Sequence, residues 1–252
     1  MGKKYFAWSF DDGLEQDKKI IKILKEYGLG ATFHLNSGLF GDKTYLGRIG
    51  NHGVTEKPAD SFDPAASHSL SYVPHFRIPE DEVTQVYEGF EVASHTAHHV
   101  NLSECDEETR NREIEEDIKA LSARFGQAVT GFAYPYGDGE RQSKEALKRA
   151  GVRYARLVTI RPGFRFPEDP LAMPISCRHI SPKAVERLHD FFQMDTGEDD
   201  AFFLMFSHGH EFDYGTEESS WDRFRRLCEA VAAQDDVIAC SIGDAFRMHQ
   251  DG

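Results

Sequence analysis

Two carboxylates stand side by side near the start of the chain, Asp11 and Asp12 in SFDDG, just after an apolar run. Adjacent like charges repel, and burying both raises one carboxyl pKa unless a cation or hydrogen-bond donors compensate. The same residues also make a good turn, since Asp bonds its own backbone and Gly supplies positive φ. Further on, His95 and His99 lie four apart in SHTAHH, a spacing that can present two imidazoles to one ion. With 12 histidines in 252 residues such a pair also arises by chance, and His98 is a rival partner for His95. GFAYPYG, at 131–137, carries Pro135 and Tyr136 where an apolar segment meets turn residues. LMFSHGHEFD, at 204–213, delivers His208 to the end of an apolar run, with Phe206 before it and His210 after it. A histidine there caps a strand, satisfies the core, or serves as an acid–base group, its ordinary pKa lying near neutrality.

Short apolar runs alternate with segments of helical spacing, which argues βα units to position these groups. The candidate strands are 5–10, 31–35, 91–94, 131–134, 154–158, 201–207 and 237–242, a barrel-like count. Between the first two, Ile20, Ile21, Leu24 and Tyr27 share a helical stripe that ends at Gly28, a residue suited to a left-handed cap. Other helices are expected at about 107–125, 140–150, 182–194 and 219–233. AFFLMFS at 201–207 is apolar throughout, as in a parallel strand buried on both faces, whether of a barrel or of an open doubly wound sheet. Asp11, Asp12, His95, Pro135 and His208 all follow candidate strands, and in a parallel barrel those C-terminal ends gather on one face, where active sites form. The stretch 36–89, rich in Gly, Pro, Ser and His, reads as an insertion decorating one face of a single domain spanning 1–252.

The formal net charge is −14, with 40% hydrophobic and 29% charged residues, an ordinary balance for a soluble globular chain. That field repels phosphate backbones and anionic membranes, which makes nucleic acid and lipid headgroups poor partners. Cys105, Cys177, Cys228 and Cys240 form neither a C-x-x-C pair nor a compact framework. Structural zinc and a disulfide scaffold are therefore not expected, and free thiols suit a reducing compartment. The N-terminal stretch has too few apolar residues for a signal-peptide core, so the chain reads as cytoplasmic.

The ordered set of SFDDG, H-T-x-x-H followed by Asn101 and Leu102, a Pro-Tyr-Gly strand end and a late strand closing on His208 resembles the polysaccharide deacetylase family, carbohydrate esterase family four. GLGATFHL at 28–35 and GFEVASHT at 89–96 are similar to the family's second strand and to its approach to the metal histidines, and the match runs from residue 5 to about 245. The resemblance implies an α/β fold, a distorted (β/α)7 barrel, and metal-dependent removal of acetyl from an N-acetylated amino sugar in an oligo- or polysaccharide. It implies Asp12, His95 and His99 as metal ligands. Two neutral imidazoles and a carboxylate suit Zn2+, or Co2+ or another divalent ion, and three protein ligands leave an open position. Asp11 would be the general base and His208 the general acid that protonates the departing amine. The backbone N–H of Tyr136 would meet the developing oxyanion. Phe206 would receive the acetyl methyl, beside Pro135.

Two departures from the family pattern stand out. Ala133 occupies a position where the family usually has an Arg that bonds the base, with Arg156 or Arg178 as candidate replacements. The Asp and Trp motif that supports the catalytic histidine is not recognisable between 160 and 182. Glu211 or Asp213 could support His208 instead, and His210 competes for the acid role. Two other functions compete: a metal-dependent amidohydrolase opening a small cyclic amide, and a degenerate carbohydrate-binding protein. Tyr45, Tyr72, Tyr214 and Trp221 are available in loops to stack on sugar rings, with Trp221 expected to contact substrate. His52, His68 and His75 have no assigned place.

Overall fold

The computed structural model describes residues 2–49, 52–62 and 71–251. His68 and the side chain of His52 lie outside the described residues. The first strand, β1 (Lys4–Asp11), is buried at every position. Its side chains alternate between two environments, as the period of a strand requires. Phe6, Trp8 and Phe10 point to the helical layer, where Trp8 stacks on Phe10 at 5.6 Å and Phe10 on Phe33 at 5.2 Å. Tyr5 and Ala7 point the other way, into a second core with Leu204 and Phe206. Asp11 has the parity of Tyr5 and Ala7, so it faces the interior.

Helix α1 (Asp17–Tyr27) buries Ile20, Ile21, Ile23 and Leu24 and stops at Gly28, whose φ of 67° is the left-handed cap expected from the sequence. After β2 (Ala31–Leu35) the chain leaves the main sheet and builds a separate antiparallel one from β3 (Lys43–Ile49), β4 (His52–Pro58) and β5 (Ser71–Phe76), ordered β4-β3-β5. The short α2 (Val83–Val86) leads back to β6 (Glu91–Ser94). Then come α3 (Glu107–Phe125), β7 (Gly131–Ala133), α4 (Glu140–Arg149), β8 (Tyr154–Ile160), β9 (Met173–Ile175), β10 (Cys177–Arg178), α5 (Ala184–Gln193), β11 (Ala201–His208), α6 (Trp221–Ala232), β12 (Val237–Ala239) and α7 (Ile242–Gln250).

The main sheet runs β10-β11-β1-β2-β6-β7-β8-β9, all parallel. Only Ser176 separates β9, which pairs with β8, from β10, which pairs with β11. Ser176 donates its N–H to the Leu204 carbonyl at 2.9 Å and accepts the Leu204 N–H on Oγ at 3.0 Å. The two short strands thus form one stave, and the eight strands in the order make a nearly closed seven-stave barrel. The fold is the distorted (β/α)7 barrel expected, but one stave differs. Segment 173–178 closes the ring, not 237–242. Residues 237–239 pair only with Lys4–Phe6 at the far end of β1, and from Ile242 the chain is helical, capped by the Ser241 hydroxyl. The closing stave is short and carries Pro174, which cannot donate to a ladder, so it lacks the signature of a buried strand. Among the described residues, no helix is long and apolar enough to cross a membrane.

Candidate metal centre and active site

Asp11 ends β1 in register with His208 on β11 and His34 on β2, so the strand carries it between two imidazoles at the C-terminal mouth of the barrel. The next residue breaks the strand. Asp12 has φ of 82°, a left-handed conformation that costs a non-glycine residue of order 1–3 kcal/mol. A continued strand would send Asp12 to the face opposite Asp11, and this turn instead brings both carboxylates to the same cavity. Asp12, Thr96, His99 and Tyr136 are the positive-φ non-glycine residues among the described ones, and all sit in the loops of this mouth. Strain confined to one rim marks a constrained site.

The ligand atoms of Asp12, His95 and His99 all lie within 4.8 Å of one another. His99 Nε2 is 3.6 Å from Asp12 Oδ1, and the rings of His95 and His99 are 4.9 Å apart. His95 Nδ1 lies 2.7 Å from the Ala133 carbonyl, which can only accept, so the proton sits on Nδ1 and Nε2 keeps its lone pair. Burial lowers both imidazoles to about 4, more than the nearby carboxylates raise them. Burial also works to raise Asp12, but Arg77, His75 and His99 together hold it well below the usual carboxylate range. Neutral imidazoles and an ionised carboxylate are the protonation states that bind a divalent ion, so this donor set fits one. His98 takes no part: its ring is directed to Glu113 at 2.9 Å, with the side chain 54% exposed.

Asp11 is held differently. The guanidinium of Arg156, fully buried, contacts both of its oxygens, at 2.5 Å for Oδ1. Burial raises the Asp11 carboxyl, and Arg156 with His95 and His34 overcomes that and leaves it ionised. Arg156 is the register partner of Ala133 on the adjacent strand, so the cation absent from 133 comes from directly across the ladder. Arg178 is engaged elsewhere, on Glu211.

At the end of β11, His208 Nδ1 lies 3.3 Å from Glu211 Oε1, and the His208 backbone N–H donates to Oε2 at 3.2 Å. Burial works to lower His208, but Glu211 outweighs it and the imidazole pKa is raised. Glu211 is itself kept well below its usual range by His179, His208 and Arg178, against the effect of burial. Asp213 accepts instead from Gln16 at 2.7 Å. His210 is buried and kept neutral by that burial and by the neighbouring His208 and His75.

Three contributors were not foreseen. His75 Nε2 lies 3.2 Å from Asp12 Oδ2, and Arg77 donates to the Asp12 backbone carbonyl, with its Nη1 3.3 Å from Oδ1. His75 lies on β5 of the inserted sheet and Arg77 just past its end, where an isolated bridge to Leu14 meets the turn after β1. Their i, i+2 spacing in PHFR, one face of a strand, was the only sequence signal. Asp117, on α3, accepts from Ser37 N–H at 2.7 Å, Ser94 hydroxyl at 2.5 Å and His95 N–H at 3.2 Å, which fixes the backbone that carries His95.

Asp11, Asp12, His75, His95, His99 and His208 line a cavity of about 650 Å³, walled also by Leu46, Glu56, Tyr136, Phe206 and Tyr214. Phe206 lies below His208 at 4.9 Å, and the Tyr136 ring covers His99 at 4.8 Å. Pro135 is buried at the turn before Tyr136 and does not line the cavity. Trp221, expected at the substrate, is elsewhere: it starts α6, stacks on Phe212 at 4.6 Å and lies under the Lys19 ammonium at 4.0 Å. An aromatic at the first turn of an amphipathic helix packs against its own core before it reaches a loop rim. Tyr45 and Tyr72 likewise pack on Phe62.

Solved structures with this fold include a polysaccharide-deacetylase-type chain of Mycobacterium smegmatis, at 14% identity and TM-score 0.59, with 100% of this chain and 92% of that one covered. A family 4 carbohydrate esterase of Streptomyces lividans in complex with acetate matches at 14% identity and TM-score 0.54, covering 94% and 91%. The peptidoglycan deacetylase PdaC of Bacillus subtilis matches at 16% identity and TM-score 0.54, covering 99% and 93%. No curated protein sequence matches the chain. The sequence model of the family described as polysaccharide deacetylase matches residues 1–155, the part that carries Asp11, Asp12, His95 and His99. By that match over more than half its length, on a barrel that gathers those residues at one mouth, the chain belongs to the polysaccharide deacetylase family.

Proposed function

We propose that this chain is a metal-dependent hydrolase that removes acetyl from an N-acetylated amino sugar in an oligosaccharide or glycoconjugate. One observation carries the reading: an ionised Asp11 gripped by Arg156 stands beside a compact Asp12, His95 and His99 donor set, with His208 on Glu211 at the register position facing Asp11. A divalent ion held by that set, most simply Zn2+, supplies a Lewis acid and makes water acidic enough to lose a proton near neutrality.

Asp11 accepts the proton of the attacking water. Arg156 keeps its carboxylate ionised and aimed while the site waits for substrate. His208, protonated through Glu211, gives its proton to the departing nitrogen, which leaves poorly as an anion. Tyr136, in a left-handed turn, offers its backbone N–H to the amide oxygen as negative charge develops there. Phe206 forms an apolar floor against which an acetyl methyl can rest. Two neighbours in fold are in keeping with this chemistry: one is a family 4 carbohydrate esterase in complex with acetate and the other a peptidoglycan deacetylase.

Metal-loaded protein incubated with N-acetylglucosamine oligomers should release acetate, followed by enzymatic acetate assay and by loss of acetyl mass from the sugar. A small cyclic amide is the competing substrate, and ring opening without acetate release would favour it. A degenerate binding-only role rests on Ala133 and on the missing Asp and Trp motif; Arg156 on Asp11 and Glu211 beside His208 favour catalysis over it.

A further inference from the structure

We propose a second divalent-cation site beside the first, built from Asp12, His208 and His210 and sharing the Asp12 carboxylate, whose occupancy withdraws His208 from proton donation. The inhibitory consequence rests on the assignment of His208 as the acid; the site itself does not. The ligand atoms of these three residues also lie within 4.8 Å of one another. Asp12 faces two ways: Oδ1 toward His99 at 3.6 Å, and Oδ2 toward His75 at 3.2 Å, whose ring is 5.2 Å from that of His210. A carboxylate common to two such donor sets is a group that can be shared between two ions.

The imidazoles of this second set are oriented as ligands are. Each Nδ1 faces an outer partner: His208 Nδ1 lies at ion-pair distance, 3.3 Å, from Glu211 Oε1, and His210 Nδ1 is 3.2 Å from the Tyr214 hydroxyl. That leaves Nε2 of each for an ion, the arrangement in which second partners fix ring direction and basicity. His208 and His210 stack at 5.0 Å, so one ion can meet both. Two nitrogens and one oxygen select a borderline ion such as zinc, cobalt or nickel over magnesium or calcium. When the ion binds, the His208 Nε2 lone pair forms the coordinate bond, and the proton that nitrogen carried goes to solvent. The acid is then unavailable, so activity rises with the first equivalent of metal and falls with excess.

The test is cobalt titration of the metal-free full chain, read by native mass spectrometry and calorimetry. Wild type should take up two ions and His210→Gln one, with Tyr214→Phe weakening the second ion about tenfold or more. Acetate release by wild type should peak near one equivalent and decline beyond it, a decline absent in His210→Gln. In case His210→Gln does not fold, anomalous scattering from cobalt-soaked wild-type crystals decides: two peaks joined by Asp12 support the site. Wild type saturating at one ion, or His210→Gln retaining two, overturns it. If wild type binds one ion and His95→Ala none, the second site fails and the first stands. If His95→Ala and His99→Ala leave binding unchanged, the reading of the first set fails as well.

Discussion

Arg156 faces Ala133 across the β7–β8 ladder, and its buried guanidinium grips the carboxylate of Asp11. Residue 156 has the inward parity of Tyr154, so a long cationic side chain there reaches the centre of the barrel mouth. Under the proposed mechanism the pair is the base and its orienting cation, and it is also a buried ion pair that cannot be halved without cost.

Replacing Arg156 by Met leaves a buried carboxylate unpaired, and chemical denaturation at neutral pH should register a loss of about 3–5 kcal/mol. The sign follows from the depressed Asp11 pKa: the stabilisation is present above the unfolded carboxyl value and is lost as pH falls through the folded one. Arg156→Lys keeps a charge but not the fork. Its pH–rate profile should show the acid limb displaced to higher pH, because Asp11 then protonates more easily. An acid limb that stays in place would remove Arg156 from the mechanism.

Glu211→Gln withdraws the charge that raises His208, the proposed acid. The protonated form then disappears at lower pH, so the basic limb of the profile should move to lower pH, with turnover reduced about 10–100-fold. A basic limb unmoved by the substitution would mean that another group donates the proton.

His75→Ala frees one oxygen of Asp12 from its outer partner. Metal affinity, measured by competition with a chromophoric chelator, should drop about 10–100-fold. Unchanged affinity would make the inserted sheet a cover and not a support for the ion site.

Asp17 offers a prediction away from catalysis. It is buried, accepting from Leu14 N–H at 3.1 Å and the Tyr87 hydroxyl at 2.7 Å, and burial pushes its carboxyl up to about 8. A carboxyl with a raised folded pKa binds its proton more tightly in the folded state, so it erodes stability as pH rises from about 4 to about 8. Asp17→Asn should flatten that slope, worth on the order of a few kcal/mol across the window. Identical slopes in urea titrations of both proteins would show that Asp17 ionises freely.

What could be read from the chain follows from the range of the forces involved. β1, α1 and α3 announce themselves through local periodicity and caps, and the convergence of Asp11, Asp12, His95 and His208 follows from strand ends in a parallel barrel. Arg156 is a candidate from the sequence because it lies on the next strand, while its inward parity and the register that sets it opposite Ala133 are tertiary facts. His75 and Arg77 reach Asp12 only through the antiparallel sheet β4-β3-β5, whose pairing no local pattern specifies. Segment 173–178 escaped because a stave that changes partners at Ser176 needs neither length nor alternation. Trp221 was misplaced because an aromatic near a loop looks the same whether it lines a cavity or closes a core.

The central claim is that Asp11 takes the proton while Asp12, His95 and His99 hold the ion, and Asp11→Asn separates the two jobs. Acetate release from N-acetylglucosamine oligomers, measured alongside metal content, should fall by about 10²-fold or more with the ion fully retained. Acetate release at the wild-type rate by that variant would contradict the account.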